Sequence, residues 1–372
     1  MNAHERILCT INHEEPDRVP TFVQHIEPGF VQKYDEKIEL KDDYGFQGLA
    51  GADVMVAKEI GLDSKWIHIQ GPHPSKNMKM PQIPKEILAS SKNAHVGFDG
   101  TIYIKDASGE SWYQDGGLKT PELIKDWIDY IHGFEYPDEN YYRSIQKLWQ
   151  HGCSVDMVPI PTTGSVVYIT WASIGLNRIG YMLRKYYSSV ERLMNTWADV
   201  VIEHQNRLFE LGIDMCFICD DHAFKNAMIF SPKYFKELIV PVYRKISHNA
   251  HKHNAKFLLH TDGYLHDEIP FLIEANVDAI DPLEYEAGNR LKFLKEKYGN
   301  DICLIGNVPT NDLLCMGTEE QVKEMVISQI QDAAANGGYI LAPGSDLVSS
   351  AKVENVLRMV TAAKEFGIYQ KN

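Results

Sequence analysis

Eight short apolar runs constrain this chain more than any other feature. They are VPTFVQ (19–24), ADVMVA (52–57), VDMVPIP (155–161), IDMCFIC (213–219), KFLLH (256–260), VDAIDPLE (277–284), ICLIGNV (302–308) and YILAPG (339–344). Each is rich in Val, Ile, Leu or Met and none alternates strictly, the pattern of strands buried on both faces. Most are separated by amphipathic stretches that carry helix signals. Thr120-Pro121-Glu122 puts an N-cap ahead of a proline at the first helical position, and Ser231-Pro232 repeats the device. Thr318 with Gln321 forms a capping box, and Gly337-Gly338 ends that helix before the last run. Strand–helix alternation repeated eight times predicts a parallel (β/α)8 TIM barrel, one domain over residues 1–372.

One segment departs from the pattern. Residues from about 61 to 118 read as an insertion, in which TIYIKDASGESWYQ has the form of a β-hairpin turned at Asp106-Ala107-Ser108-Gly109. Insertions of this kind belong near the barrel mouth. The terminal GIYQKN is expected to fray.

Composition narrows the function classes. Of 372 residues, 44% are hydrophobic and 24% charged, ample for a large core. The net charge of −14 disfavours a nucleic-acid partner. The first residues, MNAHERILCTINHEE, are charged and lack an apolar stretch, so no secretory leader is expected. No run approaches the roughly 20 apolar residues of a membrane span. The six cysteines are scattered, which predicts reduced thiols in a cytoplasmic protein. Cys216 and Cys219 form a C-x-x-C inside an apolar run with no second pair, and read as buried core thiols.

In a barrel, polar residues just past the strand ends meet the ligand. Here those positions are loaded: His25 after the first run, Asp220, Asp221 and His222 after the fourth, His260 and Asp262 at the fifth. Glu284, Asn307, Ser345 and Asp346 follow the sixth, seventh and eighth. An imidazole with two or three carboxylates suits zinc or another divalent ion, and His260, Asp262, Glu284 and Asp346 are the expected ligands. The alternative is a hydrogen-bonded polar network without metal. His25, Asp221 and His222 are candidate acids or bases, although His222 with Asp221 also fits a surface loop pair. His25 also fits a group bonded to backbone, and Asp220 a helix cap. Tyr168, Trp171 and Asn307 are candidate substrate contacts; the two rings equally suit ordinary packing.

The motifs H-E-E-P-D-R-V-P (13–20), F-L-L-H-T-D-G (257–263), D-A-I-D-P-L-E (278–284), I-G-N-V (305–308) and G-G-Y-I-L-A-P-G (337–344) resemble the uroporphyrinogen decarboxylase superfamily. The resemblance spans nearly the whole chain and implies a (β/α)8 barrel. It implies one of two activities: porphyrinogen decarboxylation, or corrinoid-dependent methyl transfer. Decarboxylases look like M-R-Q-A-G-R-Y after the first strand, where this chain has VQHIEPGF, with no arginine between Arg18 and Arg143. Ser345 replaces a family histidine near the last strand. The methyltransferases are more similar. Their thiol-directed members bind zinc through H-x-C and a later Cys, as cobalamin-independent methionine synthase does with an added Glu. Those positions match His260, Asp262, Glu284 and Ser345, with Asp346 adjacent.

Both family cysteines are thus replaced by oxygen-bearing residues, which makes a harder site. The resemblance therefore implies removal of a methyl group from a methoxylated, aromatic compound to the Co(I) corrinoid of a separate corrinoid-binding protein. Transfer from the corrinoid to a thiol or tetrahydrofolate, and a tetrapyrrole-binding barrel without turnover, are the alternatives.

Overall fold

The computed structural model describes residues 1–88, 94–106, 109 and 111–370. Eight parallel strands form one sheet: β1 Phe22–Val23, β2 Ser64–His68, β3 Val158–Thr162, β4 Met215–Cys219, β5 Lys256–His260, β6 Ala279–Asp281, β7 Cys303–Val308 and β8 Tyr339–Pro343. They pair in chain order. Parallel bridges Thr21–Leu341 and Ile26–Leu347 join β1 back to β8, closing the sheet into a (β/α)8 barrel. Its interior is filled with rings: Phe22 stacks on Phe217 at 5.3 Å, and Trp66 meets Phe217 at 5.8 Å. No helix among the described residues is long and apolar enough to cross a membrane.

Seven of the eight apolar runs are barrel strands; ADVMVA is not. It lies in the helix Ala52–Ile60, which buries Val54, Val56, Ala57 and Ile60 and stops at Gly61 in the left-handed conformation. The second strand is instead SKWIH, inside the stretch expected to be an insertion. Its polar residues hid it: Ser64 and Lys65 are both buried, Lys65 through an ion pair with Asp53. The insertion therefore begins only after His68.

Within it, Thr101–Lys105 and Ser111–Gly116 pair antiparallel as expected, with Ala94–Val96 as a third strand. Ala107 and Ser108 of the expected turn lie outside the described residues. This small sheet docks on the helix Val167–Ile174, which follows β3. Tyr113 packs edge-on against Trp171 at 5.7 Å, and its hydroxyl accepts a hydrogen bond from the Leu176 N–H.

The helix-start signals hold where they were placed. Thr120 caps Pro121–Ile131, Ser231 accepts from the Tyr234 N–H, and Thr318 with Gln321 caps Glu319–Ala333. The last of these helices ends at Ala333, four residues before Gly337, the first of the expected glycines. Gly337 and Gly338, both with φ of 68°, then turn the chain into β8. The terminal segment is not frayed as far as it is described. The Gly367 carbonyl accepts from Val19, Ile368 bridges Arg18, and the Tyr369 hydroxyl donates to the Ala334 carbonyl.

At the N-terminal end of the barrel, Asp63 accepts from Arg6, Arg18 and the Thr21 N–H and hydroxyl, each at 2.7–3.0 Å. Arg18 of the H-E-E-P-D-R-V-P motif thus bolts the entering chain to the base of β2, and Asp17 of the same motif accepts from Arg6. This places that motif at the stability face of the barrel, away from the mouth.

A second buried polar contact joins two outer helices. His204, on Tyr187–Phe209, shares a 2.6 Å hydrogen bond through Nδ1 with the hydroxyl of Tyr142 on Glu139–Ser154. Burial, with the nearby Arg207 charge, lowers the His204 pKa to about 4. The unfolded chain, with a histidine pKa of roughly 6.5, then binds the proton first as pH falls. Stability should decline between about pH 6.5 and 4 by up to ~3 kcal/mol from this group. Urea denaturation of His204→Gln at pH 7 and pH 4.5 should show a smaller difference than the natural protein.

Candidate active site at the barrel mouth

β5 ends in His260, and the end of β6 fixes its ring. His260 Nδ1–H donates to Asp281 Oδ2 at 3.1 Å, and Asp281 is 1% exposed. This turns Nε2 toward the mouth, where Asp221 Oδ1 lies at 3.8 Å and Asp262 Oδ1 at 3.9 Å. The Trp66 indole packs edge-on against the imidazole at 4.8 Å. A carboxylate behind a histidine sets its tautomer and orientation, the usual outer support of a metal-binding imidazole.

The loop after β4 is held from several sides. The Asp262 N–H donates to Asp221 Oδ1 at 3.1 Å, and the Trp171 indole N–H donates to the Asp221 carbonyl at 2.7 Å. Tyr168 lies edge-on to Trp171 at 5.0 Å. Asp220 faces inward. Its Oδ1 accepts from the Ser165 hydroxyl and from the N–H groups of Val166, Val167 and Tyr168 at 2.6–2.9 Å, and its Oδ2 from the Tyr243 hydroxyl. Asp220 is a cap, as one reading allowed, but of the helix Val167–Ile174 that precedes it in sequence.

His260 is buried at the mouth, while the Asp221 and Asp262 side chains are partly exposed. Burial alone would lower the His260 pKa, but the Asp281 hydrogen bond and the charges of Asp262, Asp281 and Asp221 outweigh it and raise it to about 9. Burial raises Asp262 to about 7 against the pull of His260, aided by the charges of Asp221, Glu284 and Asp281. Asp262 Oδ1 and Asp281 Oδ1 have no hydrogen-bond partner among the described residues. Crowded carboxylates with an orphaned oxygen fit a cation. His260, Asp221 and Asp262 offer one atom each, all within 4.8 Å of one another. Ligands of a tetrahedral zinc lie about 3.4 Å apart, so small side-chain shifts suffice, and a fourth position stays open.

The structure brings the expected metal ligands together only in part. His260 and Asp262 stand together, but the third member of the cluster is Asp221. Glu284 faces the same mouth and feels the charges of His260 and Asp221, yet its Oε2 accepts from the Gly263 N–H at 2.7 Å. Asp346 sits across the mouth, where Gln24 donates to it at 2.7 Å and His25 Nδ1 lies 3.5 Å away. Those bonds lower its pKa despite burial. Strand order explains Asp346: β4 and β6 flank β5, whereas β8 lies three strands away.

Two other expectations are overturned. His222 is fully buried, its Nδ1 2.5 Å from Glu268, itself fully buried, so it is shut off from any substrate at the mouth. Asn307 is 1% exposed. Its amide donates to the Leu283 and Asn289 carbonyls and accepts from Gln329, which leaves it a brace between β7 and its surroundings. Alternation along β7 and the loop after β4 turned both side chains away from the mouth. Cys216 is buried as expected, while Cys219 is partly exposed; both are free thiols whose pKa burial raises.

Sequence reasoning passed over Asp281, Lys65 and His68. Asp281 is the last residue of β6, and that place at a strand end was the available signal. Lys65 and His68 were lost with the misplaced second strand.

Comparison with known proteins agrees with this architecture. The model of the family described as "Uroporphyrinogen decarboxylase (URO-D)" matches residues 162–366, more than half of the chain. A methylcobamide:CoM methyltransferase, MtaA, of Methanosarcina barkeri is 24% identical over 176 residues, covering 47% of this chain and 49% of that protein. A methylated-thiol–coenzyme M methyltransferase of Methanosarcina mazei is 22% identical over 172 residues, covering 45% and 42%. The matches thus span about half the length of these relatives. The solved structure of a methyltransferase from Methanosarcina mazei superposes with a TM-score of 0.64 at 17% identity, over 98% of this chain and 99% of that one.

Equilibrium dialysis with Zn²⁺ or Mn²⁺ should show one bound ion. His260→Ala, Asp221→Asn and Asp262→Asn should each weaken binding at least about tenfold, and Asp346→Asn should change it little. Asp220→Ala leaves several buried donors without an acceptor. It should lower the unfolding free energy by about 3 kcal/mol in urea denaturation.

Proposed function

The chain belongs to the uroporphyrinogen decarboxylase (URO-D) family, and we propose that it is a corrinoid-dependent methyltransferase whose partner is a separate corrinoid-binding protein. The observation that carries this reading is the Asp221–His260–Asp262 cluster at the open end of the barrel. The names of the two Methanosarcina relatives support it. Porphyrinogen decarboxylation is disfavoured by charge. Asp221, Asp262, Glu284 and Asp346 crowd the mouth, and no arginine stands between Arg18 and Arg143 to hold a polyanionic substrate.

Zinc or another divalent ion on Asp221, His260 and Asp262 would supply a Lewis acid for a substrate heteroatom. The chain's own residues do the rest. Asp281 keeps His260 Nε2 aimed at the mouth. Tyr168 and Trp171 wall the side nearest Asp221. Burial and the Asp221 charge raise the Tyr168 pKa, so its hydroxyl stays protonated and able to donate. Glu284, whose pKa burial raises, and His25 are the mouth groups left to deliver a proton.

The hard donor set favours an oxygen-bound methyl group, carried by a methoxylated compound. The methyl carbon accepts an electron pair from the reduced corrinoid as the C–O bond breaks. That bond's pair stays on oxygen, which takes the proton. A second reading, transfer from a methylated corrinoid to a thiol, is favoured by the relatives' names.

Two assays separate the readings. The chain is mixed with Co(I) corrinoid protein and methoxybenzoates, and the visible spectrum is followed for methylcobalamin formation. It is then mixed with methylcobalamin and 2-mercaptoethanol, and loss of the same bands is followed. Ether demethylation that His260→Ala abolishes supports the first reading, and thiol methylation with the same dependence supports the second. No turnover in either direction, methanol and methylamines included, would falsify the methyltransferase assignment.

A further inference from the structure

The two loops that carry the cluster are zipped together behind it. Asp221 stands in the loop after β4, and His260 and Asp262 stand at the end of β5. One residue past Asp221, the His222 N–H donates to the Thr261 hydroxyl at 3.4 Å, and Thr261 lies between the other two donors. Further out, the Tyr264 N–H donates to the Phe224 carbonyl at 2.9 Å. Gly263, with φ of 99°, permits this approach: a Cβ there would lie 2.6 Å from that carbonyl oxygen.

The side chains of His222 and Glu268 complete this contact, and the chemistry above does not use them. Both are fully buried, with Nδ1 2.5 Å from Oε2. Glu268 ends the loop that starts with Thr261 and Asp262, directly before the helix Ile269–Glu274. The pair therefore joins the loop after β4 to the far end of the loop after β5. Phe235 packs edge-on against the imidazole at 5.2 Å and stacks on Phe271 at 5.4 Å. Inside this apolar casing, His222 Nε2 and Glu268 Oε1 have no hydrogen-bond partner among the described residues. Polar groups so placed are costly, and apolar side chains of similar volume would serve stability as well. What the pair adds is direction. An ion pair at contact distance fixes where His222 sits, and Asp221 is the next residue along the chain.

We propose that His222 and Glu268 are positioning residues: their buried pair holds Asp221 against His260 and Asp262. The contact that registers this is the 3.1 Å hydrogen bond from the Asp262 N–H to Asp221 Oδ1. The Asp221 side chain is 41% exposed, so packing at the mouth does not by itself hold it there. Without the pair, the loop is free to turn Asp221 toward solvent, and the cluster loses its third donor. Partners behind a metal ligand set its aim in this way. The consequence for a metal rests on the cluster being a metal site; the loop geometry does not.

Amide hydrogen exchange in the metal-free full chain tests the pair directly. Asp262 reads the Asp221 contact, and Leu258 in β5 reads the stability of the barrel. His222→Leu with Glu268→Leu replaces both partners by apolar groups, a change that costs little stability. In that chain Asp262 should exchange at least about tenfold faster while Leu258 is unchanged. Equilibrium dialysis should show Zn²⁺ bound at least about tenfold more weakly. Glu268→Gln, which keeps an oxygen facing His222, should restore most of both. If circular dichroism shows that the double variant does not fold, Glu268→Met takes its place with the same expectations. Unchanged exchange at Asp262, equal acceleration at Asp262 and Leu258, undiminished Zn²⁺ affinity, or a Glu268→Gln chain no better than the apolar one would overturn the proposal. Absence of Zn²⁺ binding in the natural protein removes the metal reading alone, and the exchange at Asp262 then decides the role of the pair.

Discussion

Closure of eight parallel strands into a ring leaves the chain two ends at which to put polar side chains, because the interior is filled with Phe22, Trp66 and Phe217. Carboxylates from separate strands then share one small volume. Their mutual repulsion has to be answered there. His260 answers it in part: its ring is bonded to Asp281 and faces Asp221 and Asp262, and its pKa rises to about 9 as a result. The other end of the barrel solves the same problem with guanidinium groups, Arg6 and Arg18 closing on Asp63. One end is electrostatically complete and serves stability. The mouth is left with an orphaned carboxylate oxygen, and chemistry belongs there.

The support behind the cluster is as informative as the cluster. Asp220 and Asp221 are neighbours with opposite tasks. The first turns inward and holds the start of the helix Val167–Ile174; the second turns to the mouth, where Trp171 of that same helix fixes its carbonyl. The inserted sheet leans on this helix through Tyr113. Mouth, helix and insertion therefore form one mechanically continuous unit, which suits a site that must hold donor atoms to a few tenths of an ångström.

Much of this is legible in the sequence. Strand–helix alternation, the helix starts at Thr120, Ser231 and Thr318, and the placement of His260 and Asp262 at a strand end follow from local patterns with a direct physical cause. The failures also have physical causes. ADVMVA satisfies strand and helix patterns alike over so short a span, and only packing against neighbours decides between them. SKWIH was invisible because Lys65 is buried through a partner twelve residues away, Asp53, which no hydropathy pattern reports.

The sequence by itself determined the number of strands to within one exchange, the closed parallel architecture and the family, because hydrophobic periodicity and capping are local properties of the chain. Which polar residues meet was decided only by the tertiary structure. His222 and Asn307 carry the right chemistry at the right sequence positions, but their side chains turn into the protein and find partners in Glu268 and Gln329. Asp221 joins His260 because β4 and β5 are adjacent in the ring, and Asp346 does not because β8 lies across it. Direction and distance between strands are set by barrel closure, a constraint of the whole chain that no short stretch of sequence contains.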